Sequence, residues 1–87
     1  MHEASLISSL MRRIDEAAKN ERARKVVGVT VWIGALSHIS AEHFAEHFER
    51  AAAGGVAEGA RLEVTVSNDV AHASAQDVLL EKIEVED

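Results

Sequence analysis

The sequence predicts an α+β fold in which two helices pack on a three-stranded mixed sheet, in the order α-β-α-β-β. Two amphipathic segments, with apolar residues at three- and four-residue steps, indicate the helices. Three segments rich in β-branched residues indicate the strands. Two cores in 87 residues would each bury too little apolar surface to be stable, so we expect residues 1–87 to form a single domain.

The two helices are predicted at residues 4–19 and from Ser40 to about Ala53. The first carries apolar residues on one side and charged residues on the other. Ser40 is a residue type that caps helices, and Glu42 suits the positive first turn that follows. Gly54 can adopt the left-handed conformation that commonly ends a helix.

The three strands are predicted at residues 26–33, 62–66 and 78–85. A strand–helix–strand unit in one sheet is a right-handed parallel crossover, so the first two strands should be parallel and the third antiparallel. Side chains alternate between the two faces of a strand. In the first strand this alternation predicts a shared face for Val27, Val29, Val31 and Ile33. In the third strand it predicts a shared face for Leu79, Ile83 and Val85.

Composition excludes several classes of protein. The chain has no cysteine and a formal net charge of -6 at pH 7. The acidic balance argues against nucleic-acid binding, which depends on Lys and Arg at phosphates. Without thiols there is no disulfide, iron-sulfur cluster or thiolate zinc site, so any metal must use nitrogen or oxygen ligands. No apolar run reaches the roughly 20 residues that span a bilayer, and no basic segment opens the chain. We expect a cytoplasmic protein without a membrane partner.

Apart from one His-x-x-Glu-His pattern, the sequence carries no motif that indicates catalysis. It has no Gly-rich phosphate loop, no Ser/His/Asp set and no convincing carboxylate pair. We therefore expect a binding protein and not an enzyme. The basic residues are concentrated in the first helix and the turn after it, where they form either a partner-docking edge or a solvated helix face. They are Arg12, Arg13, Arg22, Arg24 and Lys25.

Five short segments form a recognisable pattern along the chain. Met1-His2-Glu3 precede the first helix, residues 34–37 read Gly-Ala-Leu-Ser, and residues 57–60 read Ala-Glu-Gly-Ala. Residues 62–64 read Leu-Glu-Val, and residues 80–85 read Leu-Glu-Lys-Ile-Glu-Val. In this order the segments resemble the HypA family of hydrogenase/urease nickel-incorporation proteins, and the resemblance covers nearly all of the chain.

The resemblance also implies that a segment of the family is missing. HypA-like proteins normally carry a zinc ribbon with two Cys-x-x-Cys pairs between positions that correspond to residues 67 and 77. Here that connector has no cysteine, so we expect no structural zinc and a domain that folds without it. The resemblance implies that the ribbon leaves and re-enters the sheet at adjacent strand ends, so its removal need only shorten a connection.

Met1, His2 and Glu3 offer four nitrogen donors close together in sequence: the α-amine, the His2 imidazole and the backbone nitrogens of His2 and Glu3. This donor set suits square-planar Ni(II) or Cu(II) better than Zn(II) or Mg(II). The resemblance implies that the metal is nickel. Acid should weaken binding, because protons compete for the same nitrogens. The alternative is that these residues are only the exposed start of a helix.

A second candidate site lies in the other predicted helix. His43 and His47 belong to a His-x-x-Glu-His pattern that places both imidazoles on one helical face, where they form either a zinc chelate or part of a solvated face. A zinc peptidase site also needs a third ligand in a cleft, whereas Phe44 and Phe48 are expected to pack this helix on the domain. His38 and His72, in the two loops, are either ordinary surface residues or members of a secondary metal site.

The resemblance implies a nickel-binding accessory protein, or metallochaperone, that delivers Ni(II) for maturation of a nickel-iron hydrogenase or a urease. Its implied partners are the nickel-handling GTPase HypB and the large subunit of the hydrogenase. The alternative is a metal-independent interaction module that kept the fold and lost metal delivery. The sequence also leaves open a homodimer formed by strand exchange.

Overall fold

The computed structural model describes the backbone of residues 3–86 and the side chains of residues 5–86. Two helices and three strands follow one another in the predicted order, which confirms the α+β fold. They are α1 (Glu3–Asn20), β1 (Lys25–Ile33), α2 (Ala41–Ala52), β2 (Arg61–Val66) and β3 (Val78–Glu86). Neither helix, within this described range, is long and apolar enough to cross a membrane.

β1 is the central strand of the sheet, with β2 on one side and β3 on the other. It runs parallel to β2, with Val31 opposite Val64, and antiparallel to β3, with Val29 opposite Ile83. The parallel pair is joined by α2, as the crossover rule predicts. The mixed sheet is therefore confirmed.

Two register shifts between β1 and β3 change which side chains reach the core. In β1, Val27 is an extra residue between Val26 and Gly28, which pair with consecutive residues of β3. In β3, one extra residue lies next to Leu80. As a result Val26 is fully buried in place of Val27, and Leu80 packs on the core in place of Leu79. The predicted faces of both strands were wrong at these positions, because strict alternation fails at a bulge.

Both helices contribute apolar residues to one core. In α1 the buried positions recur at helical spacing, and in α2 the rings of Phe44 and Phe48 stack with their centroids 6.3 Å apart. Phe44 has no exposed surface. The buried apolar residues of the helices and of β1 are Ile7, Leu10, Ile14, Ala18, Val26, Val29, Val31, Ile33, Phe44, Phe48 and Ala52.

A charged network lies on exposed positions of the sheet. Arg61 Nη2 donates a hydrogen bond of 2.7 Å to Glu84 Oε1, and Lys82 Nζ lies 3.8 Å from the same oxygen. The hydrogen bond to Arg61, reinforced by its charge, lowers the pKa of Glu84. A lowered carboxyl pKa adds stability near neutral pH that is lost as the pH falls through it. Because these groups are solvated, their contribution is small.

α1 ends with a non-glycine residue in the left-handed conformation. Arg22 has φ 54°, and the N–H of Ala23 donates to the carbonyl of Ala18 at 2.9 Å, as in a Schellman motif. Most L-residues resist this conformation because their Cβ crowds the following carbonyl.

Arg22→Gly should therefore stabilise the domain, by about 0.5–1 kcal/mol, because glycine adopts a positive φ without that crowding. Arg22→Ala is the matched control, since it removes the same charge and keeps the Cβ. The free energy of unfolding in urea measures both. A glycine variant no more stable than the alanine variant would contradict this interpretation of the helix end.

The connector between β2 and β3 crosses the end of β1 in a series of hydrogen-bonded turns. Ser67 N donates to the carbonyl of Ile33 at 2.9 Å, and Gly34 N donates to that of Asp77 at 2.8 Å. Ala75 is buried, and its carbonyl accepts a 2.7 Å hydrogen bond from the N–H two residues beyond Gly34. The two strand ends thus flank β1, whereas the sequence led us to expect them to be adjacent.

Candidate metal centre

The three predicted nickel ligands are the first residues of the sequence. Met1 and His2 lie outside the described residues, and of Glu3 the structure gives only the backbone, with which α1 begins. The N-terminal donor set therefore stays a prediction. The structure does define the end of the domain at which α1 begins.

The first turns of α1 lie beside the start of β3. Ser5, Leu6 and Ser9 line a cleft of about 340 Å³ together with Asp77 and Val78, and Val78 pairs with the last residue of β1. α1 therefore begins at the end of the sheet where β1 stops. The sequence carries no signal for this cleft, because it joins segments that are far apart in the chain.

α2 begins at the same end of the sheet. The loop at residues 34–40 leads from the last residue of β1 into this helix. Ser40 Oγ accepts a 3.1 Å hydrogen bond from the N–H of His43, which confirms Ser40 as the N-cap. The starts of both helices are thus brought to one end of the domain.

His43 and His47 are brought together by the first turns of α2. Their Nε2 atoms are 3.1 Å apart, and their ring centroids are 4.7 Å apart. His43 is exposed and His47 half-buried, while Phe44 and Phe48 point into the core. The prediction that both imidazoles share one helical face is confirmed. A hydrogen bond between these ring nitrogens needs one donor and one lone pair, and which ring donates depends on the tautomer of each.

The other two described histidines lie away from this pair. His38 is an exposed loop residue with φ 61°. His72 lies in the connector, where its ring packs 4.7 Å from that of Trp32 and its Nδ1 accepts a 2.9 Å hydrogen bond from Ser74 N. Within residues 3–86, no group of three or more His, Cys, Asp or Glu side chains is arranged to hold a metal.

The five basic residues singled out from the sequence all have exposed side chains. They lie in α1, in the turn after it and at the first position of β1, and they are Arg12, Arg13, Arg22, Arg24 and Lys25. A docking edge and a solvated helix face both remain consistent with this exposure.

The fold and the histidines define a class of protein: a small α+β domain whose candidate metal ligands are nitrogen donors. The family model that matches it, over residues 1–84, is described as hydrogenase/urease nickel incorporation, metallochaperone, HypA. The chain belongs to the HypA family. This confirms the family that the five sequence segments indicated.

Curated relatives agree with this assignment. A hydrogenase maturation factor HypA from Rhodopseudomonas palustris (strain BisB5) is 39% identical over 64 residues, which cover 74% of this chain and 57% of the relative. One from Archaeoglobus fulgidus is 36% identical over 66 residues, or 76% of this chain and 60% of the relative. The chain thus spans little more than half the length of these relatives.

Two solved structures share the fold. The solution structure of the Ni metallochaperone HypA from Helicobacter pylori superposes with a TM-score of 0.82 at 24% identity, covering 98% of this chain and 97% of that one. A second solution structure of a HypA protein gives a TM-score of 0.74 at 23% identity, covering 99% and 97%. These likenesses establish the fold.

Proposed function

We propose that this protein is a cytoplasmic nickel metallochaperone that delivers Ni(II) for maturation of a nickel-iron hydrogenase or a urease. The observation that carries the proposal is the match to the nickel-incorporation family, which begins at Met1 and runs to residue 84. The proposed ligands are Met1, His2 and Glu3. Glu3 is the first residue of α1, where a helix start leaves backbone N–H groups without intrahelical partners.

The proposed donor set suits a carrier better than a storage or catalytic site. The α-amine, the His2 imidazole and two backbone nitrogens give an in-plane nitrogen field, which Ni(II) accepts and Zn(II), preferring a tetrahedron, does not. A chelate at a chain terminus can open one donor at a time, so a partner can take over the ion stepwise. The role we propose is therefore binding and transfer, without catalysis.

The proposed partners are the GTPase HypB and the unfinished large subunit of the hydrogenase. The curated relatives are named hydrogenase maturation factors, which supports a partner within that process. The exposed basic residues around Arg22 and Arg24 offer a docking edge for an acidic surface.

We further propose that residues 1–87 form one nickel-binding domain in which the connector at residues 67–77 replaces the zinc ribbon. The turns of this connector support the proposal. Asp69 N donates to Ser67 Oγ at 3.0 Å, and Ala71 N donates to Asp69 Oδ1 at 3.0 Å. Such local bonds satisfy the backbone without a metal.

A zinc chelator should accordingly leave the melting temperature of the purified protein unchanged. A domain that folds around structural zinc unfolds when the metal is removed, whereas this chain has no cysteine to bind it. The measurement is thermal unfolding by circular dichroism with and without EDTA. A drop of more than about 5 °C, roughly 1 kcal/mol for a domain of this size, would contradict the proposal.

The proposed function is tested in cells that lack their own HypA. Untagged protein should restore hydrogenase activity, and His2→Ala should abolish that rescue while His72→Ala, which also removes an imidazole, keeps it. If the His2→Ala variant rescued as well as the unaltered protein, nickel delivery from this site would be rejected. The metal-independent interaction module would then be the better account.

A further inference from the structure

We propose that His43 and His47 form a second metal-binding site, for a divalent late transition-metal ion that accepts imidazole nitrogen. This inference goes beyond the proposed function, since it does not use Met1, His2 or Glu3. It rests on the geometry of the two rings and on the charge of α2.

The spacing of the two nitrogens fits chelation. Zn(II) and similar ions bind imidazole nitrogen at about 2.0–2.1 Å. With the two Nε2 atoms 3.1 Å apart, an ion at that distance from both would subtend an N–metal–N angle of about 100°. This angle lies between the square-planar and tetrahedral values, so Cu(II), Ni(II) and Zn(II) all fit after a small rotation of the rings.

The two rings already face each other through the atoms that would bind the ion. Their Nε2 atoms lie within hydrogen-bonding distance, and which of them donates depends on the tautomer of each ring. Binding through both Nε2 atoms requires the proton of the donating ring to sit on its own Nδ1, so that both Nε2 lone pairs face the ion. No large rearrangement of α2 is needed, because the Ser40 cap fixes its start and Phe44 and Phe48 are buried in the core.

The charge of α2 suits a cation. The helix carries three glutamates, Glu42, Glu46 and Glu49, against a single arginine, Arg50, so its formal charge is negative. A divalent ion held by the two imidazoles would therefore lie in a favourable field.

The test uses protein with two extra residues before Met1, so that the proposed N-terminal chelate is blocked and cannot be mistaken for this site. Zn(II) is added while the imidazole C–H signals are followed by NMR. We expect the signals of His43 and His47 to shift together and to saturate at one ion per chain, with those of His38 and His72 unmoved.

The matched variants are His43→Ala/His47→Ala and, as the control, His72→Ala. The double variant should bind Zn(II) at least about tenfold more weakly, and the control should bind it like the parent protein. An unchanged affinity in the double variant, or unshifted His43 and His47 signals at millimolar Zn(II), would overturn the proposal. The NMR titration needs no substitution in α2, so it decides the question even if the double variant fails to fold.

Discussion

Gly34→Ala is expected to destabilise the domain by about 3 kcal/mol or more. A Cβ at this position would lie 2.6 Å from the carbonyl oxygen of Ser74 and closer still to the carbonyl of Ala75. These are backbone atoms, held in place by the 2.8 Å hydrogen bond between Gly34 N and Asp77 O. The clash can therefore be relieved only by moving the connector away from the end of β1.

Gly55→Ala is the matched control for this experiment. The nearest atom to a Cβ at Gly55 is the carbonyl oxygen of Ala52, at an ordinary contact distance of 3.4 Å. We expect this variant to change stability by less than about 0.5 kcal/mol. Urea unfolding measures both variants. Equal stabilities for Gly34→Ala and Gly55→Ala would mean that the connector does not pack on β1 as described.

Nickel affinity is expected to fall by about a hundredfold or more when the pH is lowered from about 7.5 to 6.5. Binding at residues 1–3 displaces a proton from the α-amine, whose reference pKa is about 7.7–8.0, and from the backbone nitrogens of His2 and Glu3. Each proton released makes the affinity fall about tenfold per pH unit below the pKa of its group. The nickel affinity falls as the pH falls, since protons and nickel compete for the same lone pairs.

The steepness of this pH dependence separates the two candidate sites. A chelate made by His43 and His47 displaces no proton from the α-amine or from a backbone nitrogen. Its affinity should therefore depend much less steeply on pH. Competition with a chelator of known affinity, repeated across the pH range, measures the slope. A shallow slope would count against coordination by the amine and backbone nitrogens.

The sequence predicted those parts of the fold that depend on local pattern. The helical spacing of apolar residues and the Ser40 cap placed both helices close to their true limits. The predicted faces failed at Val27 and Leu79, since a bulge depends on how two distant strands pair and leaves no mark in either strand alone.

The candidate sites were predictable to different degrees. The His43–His47 pair followed from helical periodicity, and its 3.1 Å nitrogen separation confirms the shared face. The packing of the connector on Gly34 was not predictable, although residues 34–37 were recognised as a family segment. The reason is that the close approach involves Ser74 and Ala75, which the chain reaches only after α2 and β2.

Calorimetric titration of the untagged protein with Ni(II) tests the nickel site at residues 1–3 most directly. It is compared with His2→Ala, with a form that has two extra residues before Met1, and with His72→Ala as the control. We predict tight binding of one ion that is lost in the first two variants and kept in the control. If the His2→Ala and extended forms bound Ni(II) as tightly as the unaltered protein, the account would be contradicted and the nickel would lie elsewhere in the chain.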